Sequence, residues 1–223
     1  MSAEKTFTPA LGNAHFTPLY DLAIAALTRE NLWRSRLVAH INPTAEDRIL
    51  DVGCGTGSLA IRLKKTAPDA EILGIDPDPA VIVRAWKKSE KLGVTINWRI
   101  GFLTPALCEE IGQISKAVSC LVLHQTPLEE KNSILSAIHT LLQPGGTLYI
   151  ADYGLQRTLP MRFLFRHTVQ TIDGIADTQP NADGILPSLM EASGFEDITE
   201  LEIIPTATGS ISIYRATSLA RRI

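Results

Sequence analysis

Cysteine is scarce in this chain: three in 223 residues, Cys54, Cys108 and Cys120. Their spacing matches neither a disulfide framework nor a paired-cysteine metal site, so reduced thiols are expected. An excess of one charge is also lacking, with 21 Lys and Arg against 24 Asp and Glu for a net charge of −3. That balance supplies no global attraction to phosphate backbones or anionic lipid, and no nucleic-acid partner is expected. No apolar run approaches the ~18 residues of a membrane span, and the opening MSAEKTFTPALGN lacks the basic-then-apolar pattern of a secretory leader. A cytoplasmic location follows as the expectation. Internal repeats and low-complexity tracts are missing as well.

What is present is a hydrophobic share of 45%, enough for a sizeable core, over a length that suits one α/β domain spanning residues 1–223. Residues 19–41 space their apolar side chains at nearly helical intervals, so 1–45 read as a leading helical cap. From there strands and helices alternate. RILDVG, EILGID, TINWRIG, KAVSCLVLH and TLYIADYG read as strands, separated by SLAIRLKKTAP, PAVIVRAWKKSEKLG, PALCEEIG and EEKNSILSAIHTLL as helices. Such alternation predicts a parallel sheet covered on both faces. The end of the chain breaks the rhythm: LPSLMEASG reads as a helix, and DITELEIIP and SISIYRAT as two strands that pair antiparallel. Residues 153–187 form an insertion carrying the apolar and basic stretch LPMRFLFRHTVQTI, which suits either a lid or a homodimer contact.

Chemistry concentrates in Asp51-Val52-Gly53-Cys54-Gly55-Thr56-Gly57, between the first strand and the next helix. Glycines there permit a sharp turn and the close approach of a ligand. Ser58 breaks a dinucleotide fingerprint, and no Gly-Lys-Ser/Thr is present for a P-loop. A carboxylate just before the loop repels a pyrophosphate and suits an ammonium or sulfonium. Asp76, ending the second strand in GIDPDP, is placed to accept from two ribose hydroxyls. Together these acids select a cationic nucleoside ligand. His124, read at the end of the fourth strand, is the candidate catalytic base, with a hydrogen bond to the strand end as its alternative role. The acids Asp51, Asp76, Asp78 and Asp152 all fall near strand ends, yet no clustered His or Cys completes a coordination shell, so no metal is expected.

ILDVGCGTGSLAI, GIDPDP, LVLHQT and LLQPGGTLYIADY, in that order, resemble the motifs of the class I S-adenosylmethionine-dependent methyltransferases, and of the ubiquinone/menaquinone biosynthesis subgroup in particular. The resemblance spans roughly residues 15–216. It implies a Rossmann-like seven-stranded sheet with helices on both faces and an antiparallel C-terminal strand. It implies S-adenosyl-L-methionine as cofactor, with Gly53, Gly55 and Gly57 under its methionine and ribose, Asp51 near the amino group, Asp76 on the ribose and Pro77 bordering the adenine. Many members have an acid after strand three; here Gly101-Phe102-Leu103-Thr104 stands, and Phe102 is the candidate to pack on the adenine. Tyr20 closes the pocket or packs a first helix. Arg166, His167 and Tyr153 are candidate contacts for the acceptor, although the stretch around Phe163 and Phe165 equally suits core or dimer interface. The implied reaction is O- or C-methylation of a small organic acceptor, phenolic or quinone-like. The alternatives are a non-catalytic regulatory binder of the same cofactor, a nicotinamide oxidoreductase, or a nucleic-acid methyltransferase, which lacks its Asn-Pro-Pro-aromatic signature here.

Overall fold

The computed structural model describes residues 28–218. Seven strands and nine helices are assigned within them. The strands are β1 (Arg48–Val52), β2 (Glu71–Asp76), β3 (Asn97–Ile100), β4 (Ile114–Cys120), β5 (Leu142–Tyr153), β6 (Phe195–Thr206) and β7 (Gly209–Ser218). The helices are α1 (Glu30–Ile41), α2 (Ser58–Thr66), α3 (Pro79–Lys91), α4 (Pro105–Ile111), α5 (Leu128–Leu141), α6 (Leu159–His167), α7 (Val169–Asp173), α8 (Ile175–Ala182) and α9 (Leu186–Ala192). Prolines at the first turns of α3, α4, α6 and α9 have helix-ready φ angles and need no amide partner. The side chains of Asp78, Thr104 and Thr158 cap three of these helices.

The sheet runs β3-β2-β1-β4-β5-β7-β6, with β7 antiparallel to both neighbours and the first five strands mutually parallel. Two-residue alternation along each strand feeds two cores. On one face Ile49, Ile72, Val118, Ala151 and Ile213 pack with Trp33, Leu37, Leu59, Leu63 and Phe165 from α1, α2 and α6. On the other, Leu50, Leu73, Ala117, Ile150 and Ala216 pack with Ile111, Leu135, Ile138 and Met190 from α4, α5 and α9. Both faces of the sheet are therefore covered, as the alternation of strands and helices requires. No helix among the described residues is long and apolar enough to cross a membrane.

Strand order reverses beside β1, which lies between β2 and β4. At such a switch point the connections leave in opposite directions and a crevice opens at the carboxyl ends of the strands. Asp51, near the end of β1, and Asp76, at the end of β2, sit there.

One boundary differs from the sequence reading. The fourth strand ends at Cys120, not at His124, because Leu121 turns into the left-handed region (φ 54°) and residues Leu123–Gln125 form a 3₁₀ turn. Of the leading segment, the described α1 buries Trp33, Leu37 and Ile41 against the sheet. In the 153–187 insertion, Phe165 is buried and packs on the Tyr153 ring at 5.2 Å, while Leu159 and Phe163 point outward, 84% and 63% exposed.

Candidate functional site

The crevice is lined by Arg34, Asp51, Gly53, Cys54, Gly55 and Thr56, by Asp76 and Pro77, and across from them by Cys120, Leu121, Val122 and Gln125. A broader depression near the start of β6, bordered by Glu191, Glu196 and Asp197, lies at the amino ends of the parallel strands and carries no such loop. The chemistry belongs to the crevice.

All three loop glycines have positive φ, but their surroundings differ. A Cβ on Gly53 would meet Val122 Cγ2 at 2.2 Å, and one on Gly57 would meet the Trp98 ring at 2.4 Å. Those two glycines admit neighbouring side chains. Gly55 has nothing within 4 Å of its would-be Cβ, so its open face is left for a ligand. Gly57 is not among the lining residues, and its nearest side-chain neighbour is the Trp98 ring.

Asp51 is 1% exposed, and neither carboxylate oxygen has a hydrogen-bond partner among the described residues. Burial pushes its pKa up to about 7, against the pull of the Arg34 guanidinium, and Asp76 adds to the rise. A buried carboxylate left unpaired is costly, and a cation in the crevice would remove the cost. Asp76 is oriented by the Gly55 amide (2.9 Å to Oδ2) and the Asp78 amide (3.0 Å to Oδ1). Each of its oxygens keeps a free lone pair for a further donor. Burial, partly offset by these two amides, raises its pKa. Cys54 and Cys120 line the walls as thiols, their pKa values raised by burial and then by Asp51.

Arg34 was not singled out by sequence reasoning. It reaches the crevice from α1, with Nε 2.8 Å from Glu30 and its guanidinium 4.6 Å from the Trp33 ring centre. Its only sequence signal was a basic residue inside an apolar helical pattern. Gln125, which donates to the Leu121 carbonyl, is a second lining residue that the sequence reading does not single out.

Other expected residues lie elsewhere. His124 is buried but does not line the crevice: Nδ1 meets Asp152 Oδ1 at 2.7 Å and Nε2 faces Asp173 Oδ2 at 3.5 Å. Tyr153 is buried with its hydroxyl on Thr208, 2.7 Å away. Arg166 and His167 are exposed on α6 and also outside the crevice lining, His167 stacking on Phe163 at 4.3 Å; the helix turns them outward because Phe165 faces the core. None of these three side chains lines the crevice. Phe102 follows β3 and is not a lining residue. Tyr20 lies outside the described residues. No group of three or more His, Cys, Asp or Glu among the described residues is arranged to hold a metal ion.

Comparison with known proteins accords with this geometry. Residues 49–146 match a family model described as a methyltransferase domain. The chain is 29% identical over 211 residues to demethylmenaquinone methyltransferase of Deinococcus radiodurans, covering 91% of this chain and 85% of that one. It is 26% identical over 185 residues to the Thermus thermophilus protein of the same name, covering 80% and 83%. Magnesium protoporphyrin IX methyltransferase from Synechocystis, solved with bound SAH, shares the fold at a TM-score of 0.62 and 19% identity, covering 93% of this chain and 90% of that one.

The fold, the crevice and the matching domain are those of an S-adenosylmethionine-dependent methyltransferase, and the chain is similar to the class I enzymes. Within that class the chain resembles the ubiquinone/menaquinone biosynthesis subgroup, and its cofactor is S-adenosyl-L-methionine.

Proposed function

We propose that this enzyme methylates a small, largely apolar acceptor at oxygen or carbon, a phenolic or quinone-like ring being the favoured class. The observation that carries the reading is the unpaired Asp51 carboxylate beside the open face of Gly55. When bound, S-adenosylmethionine supplies an electrophilic methyl group on a sulfonium centre. Asp51 would meet the ammonium of its amino-acid portion, Arg34 the carboxylate, and Asp76 the ribose hydroxyls, with Pro77 at the adenine. Leu121 and Val122 provide an apolar wall opposite the glycine loop.

Because the methyl donor is already activated, much of the acceleration comes from holding the acceptor in line in a dry crevice. An apolar acceptor agrees with that wall and with the names of the quinone-pathway relatives. His124, with both ring nitrogens facing carboxylates, supports positioning better than proton abstraction. We also propose a cytoplasmic location, supported by three cysteines that remain free, and no nucleic-acid partner, supported by the net charge of −3. The 153–187 segment is proposed as a lid. Homodimerisation through its outward Leu159 and Phe163 is the alternative, which light scattering on the purified chain would distinguish.

Calorimetric titration with S-adenosylhomocysteine tests the cofactor site. The wild type is expected to bind and Asp76→Ala to lose most of that affinity. Wild-type binding followed by a screen of phenols and quinones, read by mass spectrometry, then tests the acceptor class. No binding to the wild type would sink the assignment of the crevice. Binding without any methylated product across the screen would favour the regulatory alternative.

A further inference from the structure

Three buried charged groups, Asp152, His124 and Lys131, and the half-buried Asp173 lie behind the crevice wall. Asp152 on β5 is fully buried. Its Oδ2 accepts from the amides of Val122 (3.1 Å), Leu123 (2.8 Å) and His124 (3.3 Å). Its Oδ1 accepts from His124 Nδ1 (2.7 Å) and from the Tyr153 amide (2.8 Å). One carboxylate thus ties down the turn after β4. On the far side of the same turn, His124 Nε2 faces Asp173, the last residue of α7. Lys131, fully buried at the start of α5, donates to the carbonyls of Leu123 and Thr126 in the turn and to that of Asp177 in α8, the last at 2.9 Å. The turn that walls the crevice is therefore bonded on one side to the sheet and on the other to the insertion.

We propose that His124 is a positioning residue: as an imidazolium held between Asp152 and Asp173, it latches the α6–α8 insertion onto the Leu121–Gln125 turn, so that lid and crevice wall are ordered together. A base would need a ring nitrogen free to receive a proton, and here both nitrogens face carboxylates. The pairing with Asp152 requires Nδ1 to donate, and Nε2 donates to Asp173 only if the ring carries both protons.

The charged and titratable groups around the ring are Asp152 and Tyr153 from β5, Asp173 from α7, and, a step further, Lys131 from α5 and Asp177 from α8. Burial lowers the His124 pKa, but Asp152 and then Asp173 outweigh it and hold it at about 9. Because that value is raised above the ordinary 6.5, the latch is fully formed below pH 6.5 and is lost as pH rises through about 9. Burial brings Lys131 down to about 8, against Asp152 and Asp177, so part of the wild-type response to alkaline pH belongs to Lys131. Asp173→Asn separates the two, since Asp173 touches His124 and its side chain is partly exposed, so its removal leaves Asp152 and Lys131 in place.

Hydrogen–deuterium exchange of the full chain without ligand, at pH 7 and pH 9.5 and corrected for intrinsic rates, tests the latch. In Asp173→Asn, peptides of α6–α8 and of the turn are expected to exchange about tenfold faster at pH 7, with β1–β3 unchanged. The loss of protection between pH 7 and pH 9.5 should be smaller in this variant than in the wild type, and Asp173→Glu should restore part of both. Unchanged exchange in α6–α8 at pH 7, or a pH response identical to the wild type's, would overturn the proposal. His124→Gln, which cannot be charged, gives a second route: it too must loosen α6–α8, and normal protection there would refute the latch. The latch bears on methyl transfer only through the proposed function, but its exchange signature needs no cofactor. A failed S-adenosylhomocysteine titration therefore indicts the crevice assignment, and a failed exchange experiment indicts the latch.

Discussion

A buried carboxylate with no hydrogen-bond partner raises the free energy of the folded chain until a donor or cation meets it. Asp51 is in that position. Its folded pKa of about 7 stands above the ordinary 3.8, so keeping it ionised costs stability that accumulates as pH rises from about 4 to about 7. Asp51→Asn should therefore raise the melting temperature of the ligand-free chain at pH 8 while abolishing most S-adenosylhomocysteine binding. Differential scanning calorimetry and titration of the same sample would check both, and a variant that lost stability along with binding would contradict the account. The ligand's ammonium pairs with the ionised form, so wild-type affinity should be about tenfold weaker at pH 6 than at pH 8, as follows from a one-unit distance below the pKa. A flat pH profile would mean that Asp51 is not the ammonium's partner.

The glycine loop and the turn after β4 meet at one point, the contact between Gly53 and Val122. A Cβ at Gly53 cannot fit without moving Val122, whereas at Gly55 it would fill only open space and meet mainly the strain of positive φ, about 1 kcal/mol. Gly53→Ala should lower the thermal midpoint markedly, with partial recovery in the Gly53→Ala, Val122→Ala double variant. Gly55→Ala should stay folded near the wild-type midpoint and lose S-adenosylhomocysteine affinity, as thermal scans and titration would show. The loop itself was legible because its turn, its acid and the following helix are neighbours in sequence. So were the alternating strands and helices, and the terminal hairpin. The turn was not: LVLH reads as apolar strand, and the force that ends β4 is a carboxylate about thirty residues away, Asp152, gathering three backbone amides. Arg34 was hidden for the same reason, since only the packing of α1 on the sheet brings it to Asp51. The outward placement of Arg166 and His167 was not legible, because composition does not reveal which side of a short helix the core claims. Phe165 decides that, and it leaves its basic neighbours on the outer side.

At the scale of the whole molecule, the two cores share one sheet, and the central strands send alternate side chains into each. The insertion is joined to this body by Phe165 in the first core and by the buried charges around His124, so among the described residues no element rests on a separate core. Such a chain should unfold in a single transition, with the insertion loosening locally at lower cost. A ligand that binds only the folded state adds RT ln(1 + [L]/Kd), which is about 2.7 kcal/mol at a hundredfold excess over Kd. For a domain of this size that corresponds to a rise in melting temperature of roughly 5–10 °C. Calorimetric scans with S-adenosylhomocysteine at that excess should show one peak moved upward as a whole, and Asp76→Ala should show no shift. Two resolved transitions, with only one moved by ligand, would mean that the glycine-loop half and the β5–β7 half fold independently. The crevice, built from α1, β1, β2 and the turn after β4, would then be only as ordered as the half that contains it.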